Sequence, residues 1–207
     1  MNKSEEIIGW DADGVLVNSQ NPIIEETNRR LGTNFTFEQW LTYTYLFDQA
    51  IALTGDSPNN VASWMFSIPI MLASTPYPEA LAVSRQLDEL GFRQIVITSR
   101  PTDQTDVTIE WFKTYYPWIN SGDINVRKSG FKMSGEEFKV KKIQELTPVA
   151  FSDDSDELIT LLLAQISGMP THLTLSLVDR PWNRHAKHLN AQRITSFDSI
   201  LKKLKQD

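Results

Sequence analysis

Three apolar runs in this chain end in residues that a buried strand cannot keep buried without a reason. Ile7-Ile8-Gly9-Trp10 runs into Asp11-Ala12-Asp13-Gly14, Ile95-Val96-Ile97 into Thr98-Ser99-Arg100, and Val149-Ala150-Phe151 into Ser152-Asp153-Asp154. A short apolar run so bounded reads as a buried strand. Amphipathic stretches of helical period lie between the later runs. That alternation predicts a parallel α/β sheet wrapped by helices. The ends of such strands share one edge, and ligands bind there. The edge would gather four carboxylates and two hydroxyls. Carboxylates so crowded repel one another unless a cation joins them. The pattern therefore asks for a hard metal such as Mg²⁺ and, beside it, an anionic substrate.

The organisation supports that placement. Asn21 and Pro22 look like the N-cap and first residue of a helix that runs to about Arg30. Thr36 with Gln39 resembles a capping box for a second helix carrying Trp40, Leu41, Tyr43 and Leu46. A third helix is expected from Asn60 to near Leu72, kinked or ended by Pro69. Residues 18–75 thus read as a helical insertion, with 1–17 and 76–207 as the core. Beyond Pro76, helices are expected over 79–90, 102–116, 136–146 and 155–167 (the last closed by Gly168), and one capped by Ser196. Strands are expected over 94–98, 124–127, 149–152 and 173–178. The 207 residues suit one α/β domain with an insertion, or two small domains. The net charge of −6 argues against a broad basic face for polynucleotides. With no cysteine, disulfides, thiolate catalysis and cysteine-ligated zinc are excluded. The polar start, Met1 to Glu6, has no signal-peptide core, and no apolar run reaches membrane-span length. The expectation is a soluble cytoplasmic protein.

Each candidate residue has an ordinary reading beside the chemical one. Asp11 and Asp13 project the same way from an extended segment, yet Asp-Gly is also a common turn pair. Asp153 and Asp154 are costly at a buried strand end without a cation, yet Asp154 stands where a carboxylate favours a helix N-terminus. Asp156 reads as an exposed first-turn residue. Thr98 and Ser99, at the start of a helix, suit a phosphate or a simple cap. Lys139 opens the helix before the Asp153 strand, where its ammonium would act as a point charge at the same edge. A solvated face is the default for Lys139, Lys141 and Lys142 alike. Trp40, Tyr43, Tyr45, Phe47, Trp64 and Phe66 fit the core of a small helical bundle, or a floor on which a flat substrate stacks. Exposed aromatics there would also give a second copy of the chain a surface to meet. His185 and His188 lack a third ligand nearby and read as solvated rather than zinc-binding.

Taken in order, Asp11-Ala12-Asp13-Gly14-Val15, Thr98-Ser99, Lys139 and Asp153-Asp154 resemble the four motifs of the haloacid dehalogenase superfamily. The resemblance covers residues 6–17 and 76–180. It implies a Rossmann-like core with a small helical cap inserted after the first strand. It also implies a Mg²⁺-dependent phosphomonoesterase. In that family the residue matching Asp11 is the nucleophile and forms an aspartyl-phosphate. The one matching Asp13 is the general acid and base. Those matching Thr98, with Ser99, and Lys139 hold the phosphoryl oxygens. Those matching Asp153 and Asp154 hold Mg²⁺ together with Asp11 and the Asp13 carbonyl. An aspartate at the second position argues against dehalogenase chemistry, whose halide leaving group needs no acid.

Arg100-Pro101 after the hydroxyl pair, and Asp179-Arg180-Pro181-Trp182-Asn183 after the last expected strand, resemble the 5'-nucleotidase branch that includes the 5'(3')-deoxyribonucleotidases. This implies a (deoxy)nucleoside monophosphate as substrate, with Trp40, Tyr43, Trp64, Arg100 and Arg180 as candidate contacts. The rivals are a sugar-phosphate phosphatase or phosphomutase of the same superfamily and a binding module without activity. A binding module would usually have lost Asp11 or Asp13, and both are present. A polynucleotide 3'-phosphatase would need an open basic groove. A receiver domain would carry its acidic pair first, its lysine last and no insertion.

Overall fold

The computed structural model describes residues 6–127, 133–165, 173–188 and 190–204. Its strands are β1 (Ile7–Trp10), β2 (Val17–Asn18), β3 (Thr75–Pro76), β4 (Arg93–Thr98), β5 (Ile124–Val126), β6 (Ala150–Asp153), β7 (Thr174–Val178) and β8 (Gln192–Ile194). Six of them form one sheet in the order β5-β4-β1-β6-β7-β8, with every neighbouring pair parallel.

An all-parallel sheet must be covered on both faces, and the strand residues divide accordingly. Ile8, Trp10 and Val96 face one apolar core, which α5 (Pro78–Glu89), α6 (Thr105–Tyr115) and α9 (Asp198–Leu204) close with Leu87, Phe112 and Ile200. Ile95, Ile97 and Phe151 face the other, closed by α7 (Gly135–Leu146) and α8 (Asp156–Ala164) through Ile143 and Leu162. Gly9 has a packing reason to be glycine: a Cβ there would lie 2.7 Å from the Phe151 ring.

From β1 the chain proceeds to β4 and β5 on one side, then crosses to β6, β7 and β8 on the other. Connections leaving β1's neighbours in opposite directions open a crevice at the carboxyl ends of the central strands. Asp11 follows β1 directly, Thr98 ends β4 and Asp153 ends β6.

Between β1 and β4 the chain builds four helices: α1 (Gln20–Leu31), α2 (Tyr45–Thr54), α3 (Pro58–Met65) and α4 (Ile68–Ala73). They share a third apolar cluster made by Ile23, Leu46, Val61, Met65 and their neighbours. The chain leaves and returns side by side, since β2 and β3 pair antiparallel. Bonds on either side of α4 tie it to the core: Trp111 Nε1 donates to the Ser74 carbonyl at 3.0 Å, and Gln104 Nε2 to the Phe66 carbonyl at 2.7 Å.

The insert departs from the sequence reading in three places. Helix α1 starts at Gln20 after Ser19, so Asn21 lies inside its first turn rather than capping it. The Thr36–Gln39 capping box forms, but it closes only a 3₁₀ turn, Phe37–Gln39, and α2 starts at Tyr45. Trp40 and Tyr43 therefore lie between helices. Trp40 is turned out of helical geometry to pack on Trp182, and its indole Nε1 donates to the Tyr43 carbonyl. The helix expected over 60–72 is two helices, α3 and α4. Pro69 sits in the first turn of α4, where a missing N–H costs nothing. The helix expected from residue 102 begins with a 3₁₀ turn, Thr102–Gln104. β8 was not expected, because Gln192-Arg193-Ile194 has one buried residue and no apolar run. Gly168 lies outside the described residues. No helix among the described residues is long and apolar enough to cross a membrane.

Candidate active site

The segment after β1 is a locked turn. The Asp11 N–H donates to the Ser152 carbonyl, which extends the pairing with β6 by one residue. The N–H groups of Leu16 and Val17 both donate to the Ala12 carbonyl, and Gly14 adopts φ +78°. A Cβ on Gly14 would fall 2.2 Å from Asp154 Oδ2. Glycine is thus required there by both conformation and space.

Lys139 reaches the same place from α7. Ser134 and Glu137 cap that helix reciprocally, which fixes its first turns. Gly135 allows a close approach to β4's end, since a Cβ would lie 2.5 Å from Ser99 Oγ. The Lys139 ammonium then stands 2.9 Å from Asp11 Oδ1 and 2.8 Å from Asp153 Oδ2. One carboxylate oxygen each from Asp11, Asp153 and Asp154 lies within 4.8 Å of the others, and all three residues are buried. The capping alternative for Asp154 goes to other residues: Ser155 accepts from Leu158 N, and Asp153 Oδ1 accepts from Ser155 N.

This cluster holds three carboxylates and one ammonium. Burial pushes the Asp154 carboxyl up to about 7, with Asp153 adding to the effect. Burial also pushes Asp11 up, against the pull of Lys139 and with the help of Asp153 and Asp154. For Lys139, burial favours the neutral amine, but Asp11 and Asp153 outweigh it and hold the ammonium charged. Buried negative charge in this excess is what a divalent cation relieves. The donors are all oxygen, which suits Mg²⁺, and Gly14 keeps the approach to Asp154 free. The residues therefore fit the ion.

Asp13 is set apart from that cluster. Arg100 grips both its oxygens, Nε to Oδ2 and Nη2 to Oδ1, each at 2.7 Å. Burial would raise the Asp13 carboxyl, but Arg100 and the Ser19 hydroxyl outweigh it and hold it below its usual value. The same guanidinium touches Met71 of α4 and Thr108 of α6.

A cavity of about 1080 Å³ opens over these groups. Asp11, Asp13, Thr98, Ser99, Arg100, Lys139 and Asp154 form its floor. The insert supplies an apolar wall that includes Ile23, Trp40, Tyr43, Met65 and Met71, and the core adds Trp182. Glu136, Asp156 and Glu157 also line it.

No protein-family model matches the chain. The chain is 22% identical over 194 residues to a Bacillus cereus protein described as "putative nucleotidase", a match covering 93% of this chain and 94% of that one. Among solved structures it is similar to "a predicted phosphatase" from Clostridium acetobutylicum, with TM-score 0.65, 16% identity and 98% and 99% of the two chains covered. A Streptococcus pneumoniae hydrolase of the haloacid dehalogenase-like family gives TM-score 0.61 and 13% identity over 96% of this chain and 98% of that one. A "putative phosphoglycolate phosphatase" from Lactobacillus delbrueckii gives 0.63 and 12%, over 98% of each chain. The fold is that of the haloacid dehalogenase superfamily.

Within this haloacid dehalogenase fold, several expected substrate contacts are placed elsewhere. Trp64 does not line the cavity; it packs in the insert under the Arg30 guanidinium. Arg180 does not line it either; its Nε donates to the Gly14 carbonyl and its guanidinium lies over Tyr77. Arg100 lines the cavity, but its charge is taken by Asp13. His185 is exposed, 3.5 Å from Asp156. His188 is not simply solvated, because its Nε2 is buried without a hydrogen-bond partner. Sequence reading missed Trp182 as a wall, Met71 and Ser19 as neighbours of the Asp13–Arg100 pair, and Gly135. A glycine just inside a helix start was the one available signal, since it weakens a helix unless something must come close.

Two outcomes are expected. Gly14→Ala should destabilise the turn by at least about 1–2 kcal/mol through its left-handed conformation alone and, if Asp154 holds a divalent ion, weaken that binding by displacing Asp154. Urea unfolding and calorimetric Mg²⁺ titration measure the two effects. Because Arg100 depresses the Asp13 carboxyl in the folded state, the pair's stabilisation is full above the unfolded value of 3.8 and is lost as pH falls through the lower folded one. The stability gap between the native chain and Arg100→Met should therefore be widest near neutrality and narrow below pH 3.8. A gap independent of pH would contradict this.

Proposed function

We propose that the chain is a Mg²⁺-dependent phosphomonoesterase working through an aspartyl-phosphate, and that its substrates are (deoxy)nucleoside monophosphates cleaved as by a 5'-nucleotidase. The convergence of Asp11, Asp153, Asp154 and Lys139 beside the Thr98 and Ser99 hydroxyls carries the reading. Asp11, Asp153 and Asp154 would hold Mg²⁺, whose charge lets an anionic carboxylate approach an anionic phosphate.

Lys139 and the hydroxyls of Thr98 and Ser99 bind the phosphoryl oxygens and stabilise their charge. An Asp11 oxygen attacks phosphorus, forming the acyl-phosphate while the ester P–O bond breaks. Asp13, in the protonated form left by the preceding water step and released from Arg100, gives that proton to the leaving oxygen. In the second step Asp13 takes a proton from water as it attacks phosphorus, and the P–O bond to Asp11 breaks to release inorganic phosphate. The ionised state in which Arg100 holds Asp13 suits this second step. The insert wall keeps bulk water from the acyl-phosphate.

The nucleotide part of the reading is supported by the similarity to the Bacillus cereus protein along nearly its whole length. It is supported too by Trp40 and Trp182, whose rings stand 5.5 Å apart on the cavity wall. A base can stack where such rings reach the cavity. The cavity, at about 1080 Å³, lies just above the roughly 300–1,000 Å³ usual for small-molecule sites. The acidic Glu136, Asp156 and Glu157 disfavour a polynucleotide. The core-and-insert division, 1–17 and 76–207 against 18–75, belongs to the same proposal.

Phosphate release from nucleoside 5'-monophosphates, hexose phosphates and an aryl phosphate, with Mg²⁺ and with EDTA, tests the whole. Turnover should require Mg²⁺ and favour nucleotides; preference for hexose phosphates would leave the hydrolase and remove the nucleotidase. Asp11→Asn should lower turnover by roughly 10⁴-fold or more on every substrate with an unchanged circular-dichroism spectrum. Substantial residual activity would reject covalent catalysis at this residue.

Trp40→Ala should weaken nucleotide kcat/KM by about 2- to 10-fold while changing hexose-phosphate turnover less, and Trp64→Ala should do neither. Equal losses on both substrates would mark collapse of the insert instead.

A further inference from the structure

The Asp179–Asn183 segment grips both acidic motifs from behind. Asn183 is fully buried in the 3₁₀ turn Pro181–Asn183. Its Nδ2 donates to the Asp154 carbonyl at 2.8 Å and to the Val178 carbonyl at 2.7 Å. Its Oδ1 accepts from the Arg180 N–H and from Arg193 Nη1, so the amide has one orientation. Arg180 Nε donates to the Gly14 carbonyl at 2.7 Å, and the guanidinium carbon sits 4.2 Å from the Tyr77 ring centre. Gly14 is the residue pressed against Asp154 Oδ2. One short segment thus holds the backbone of the first acidic motif through Arg180 and that of the last through Asn183.

We propose that Arg180 and Asn183 are positioning residues that set the spacing between the Asp11 turn and Asp154, and with it the affinity for the divalent ion. The inference rests on the Mg²⁺ site of the proposed function. Neither residue belongs to the three-carboxylate cluster, and neither lines the cavity. Each hydrogen-bonds a backbone carbonyl of one acidic motif. Partners outside the ligand set that fix its orientation typically change metal affinity by 10- to 100-fold when removed.

Calorimetric Mg²⁺ titration of the full chain without substrate tests this, together with the rise in Tm on adding Mg²⁺. Arg180→Met and Asn183→Asp (nearly isosteric but without the amide donors) should each weaken Mg²⁺ binding on the order of 10- to 100-fold. Arg180→Lys, which keeps a charge and a donor, should lose less. Arg184→Met, on the exposed flank of the segment, should bind as the native chain does. Excess Mg²⁺ should restore turnover to Arg180→Met, which a merely structural lesion would not allow. Variants with native Mg²⁺ affinity but a lower Tm would overturn the proposal and leave the phosphatase reading standing. If Asn183→Asp fails to fold, Arg180→Met alone decides. A native chain that binds no Mg²⁺ would overturn both.

Discussion

The ammonium of Lys139, held between Asp11 and Asp153, is the contact on which the site depends. The three residues come from separate parts of the chain. Their meeting is set by β1 lying beside β6 and by α7 leading into β6. As a stabilising feature the cluster is poor. Buried charges lose their hydration, and one ammonium does not neutralise three carboxylates. The two apolar cores on either face of the sheet must carry the stability that this edge lacks. A chain that keeps such an arrangement at the switch point of a parallel sheet is arranging charge for a ligand.

The two aspartates of the first motif are separated by one residue and live in opposite surroundings. Asp11 faces carboxylates and a lysine, and burial raises it. Asp13 is claimed by Arg100 and Ser19, which lower it. Neighbouring titratable groups pushed apart in this way are a usual sign of divided roles. On the proposed reading, one carboxylate meets phosphorus and the other handles the proton. Arg100 adds a second link, because it also touches Met71 of α4. The orientation of Asp13 is therefore tied to the position of the insert, and closure over a substrate would act on the same guanidinium.

Much of this was legible in the sequence because strand-end residues announce themselves. An apolar run that stops at Asp11, Thr98 or Asp153 carries both a structural and a chemical signal, and sheet topology then brings them together. The insert was less legible. Trp40 leaves helical geometry to meet Trp182, a residue distant in sequence, and no local pattern records that contact. Trp64 and Trp40 have the same residue type and similar surroundings in the sequence, yet one is under Arg30 and the other on the cavity wall. Arg180 was visible as a charged residue near a strand end. That it turns toward a backbone carbonyl rather than the cavity depends on the Gly14 turn, which positions that carbonyl. β8 escaped because an edge strand with one buried residue shows neither alternation nor an apolar run.

The cavity's chemistry follows from how its charges are already spent. Arg100 is occupied by Asp13, and Lys139 by Asp11 and Asp153. The insert adds side chains that are mostly apolar or aromatic, and α7 and α8 contribute Glu136, Asp156 and Glu157. A phosphoryl group can be held at the floor by groups that work as a set. The rest of a substrate meets a wall that offers area and stacking, with acidic groups beside it. Selection by such a wall is graded rather than absolute, because a lost apolar contact costs far less than an unpaired buried polar group. On the proposed reading, such a site tolerates several bases or sugars while holding strictly to one phosphoryl position, so the chemistry would be fixed by the sheet edge and the preference by the insert.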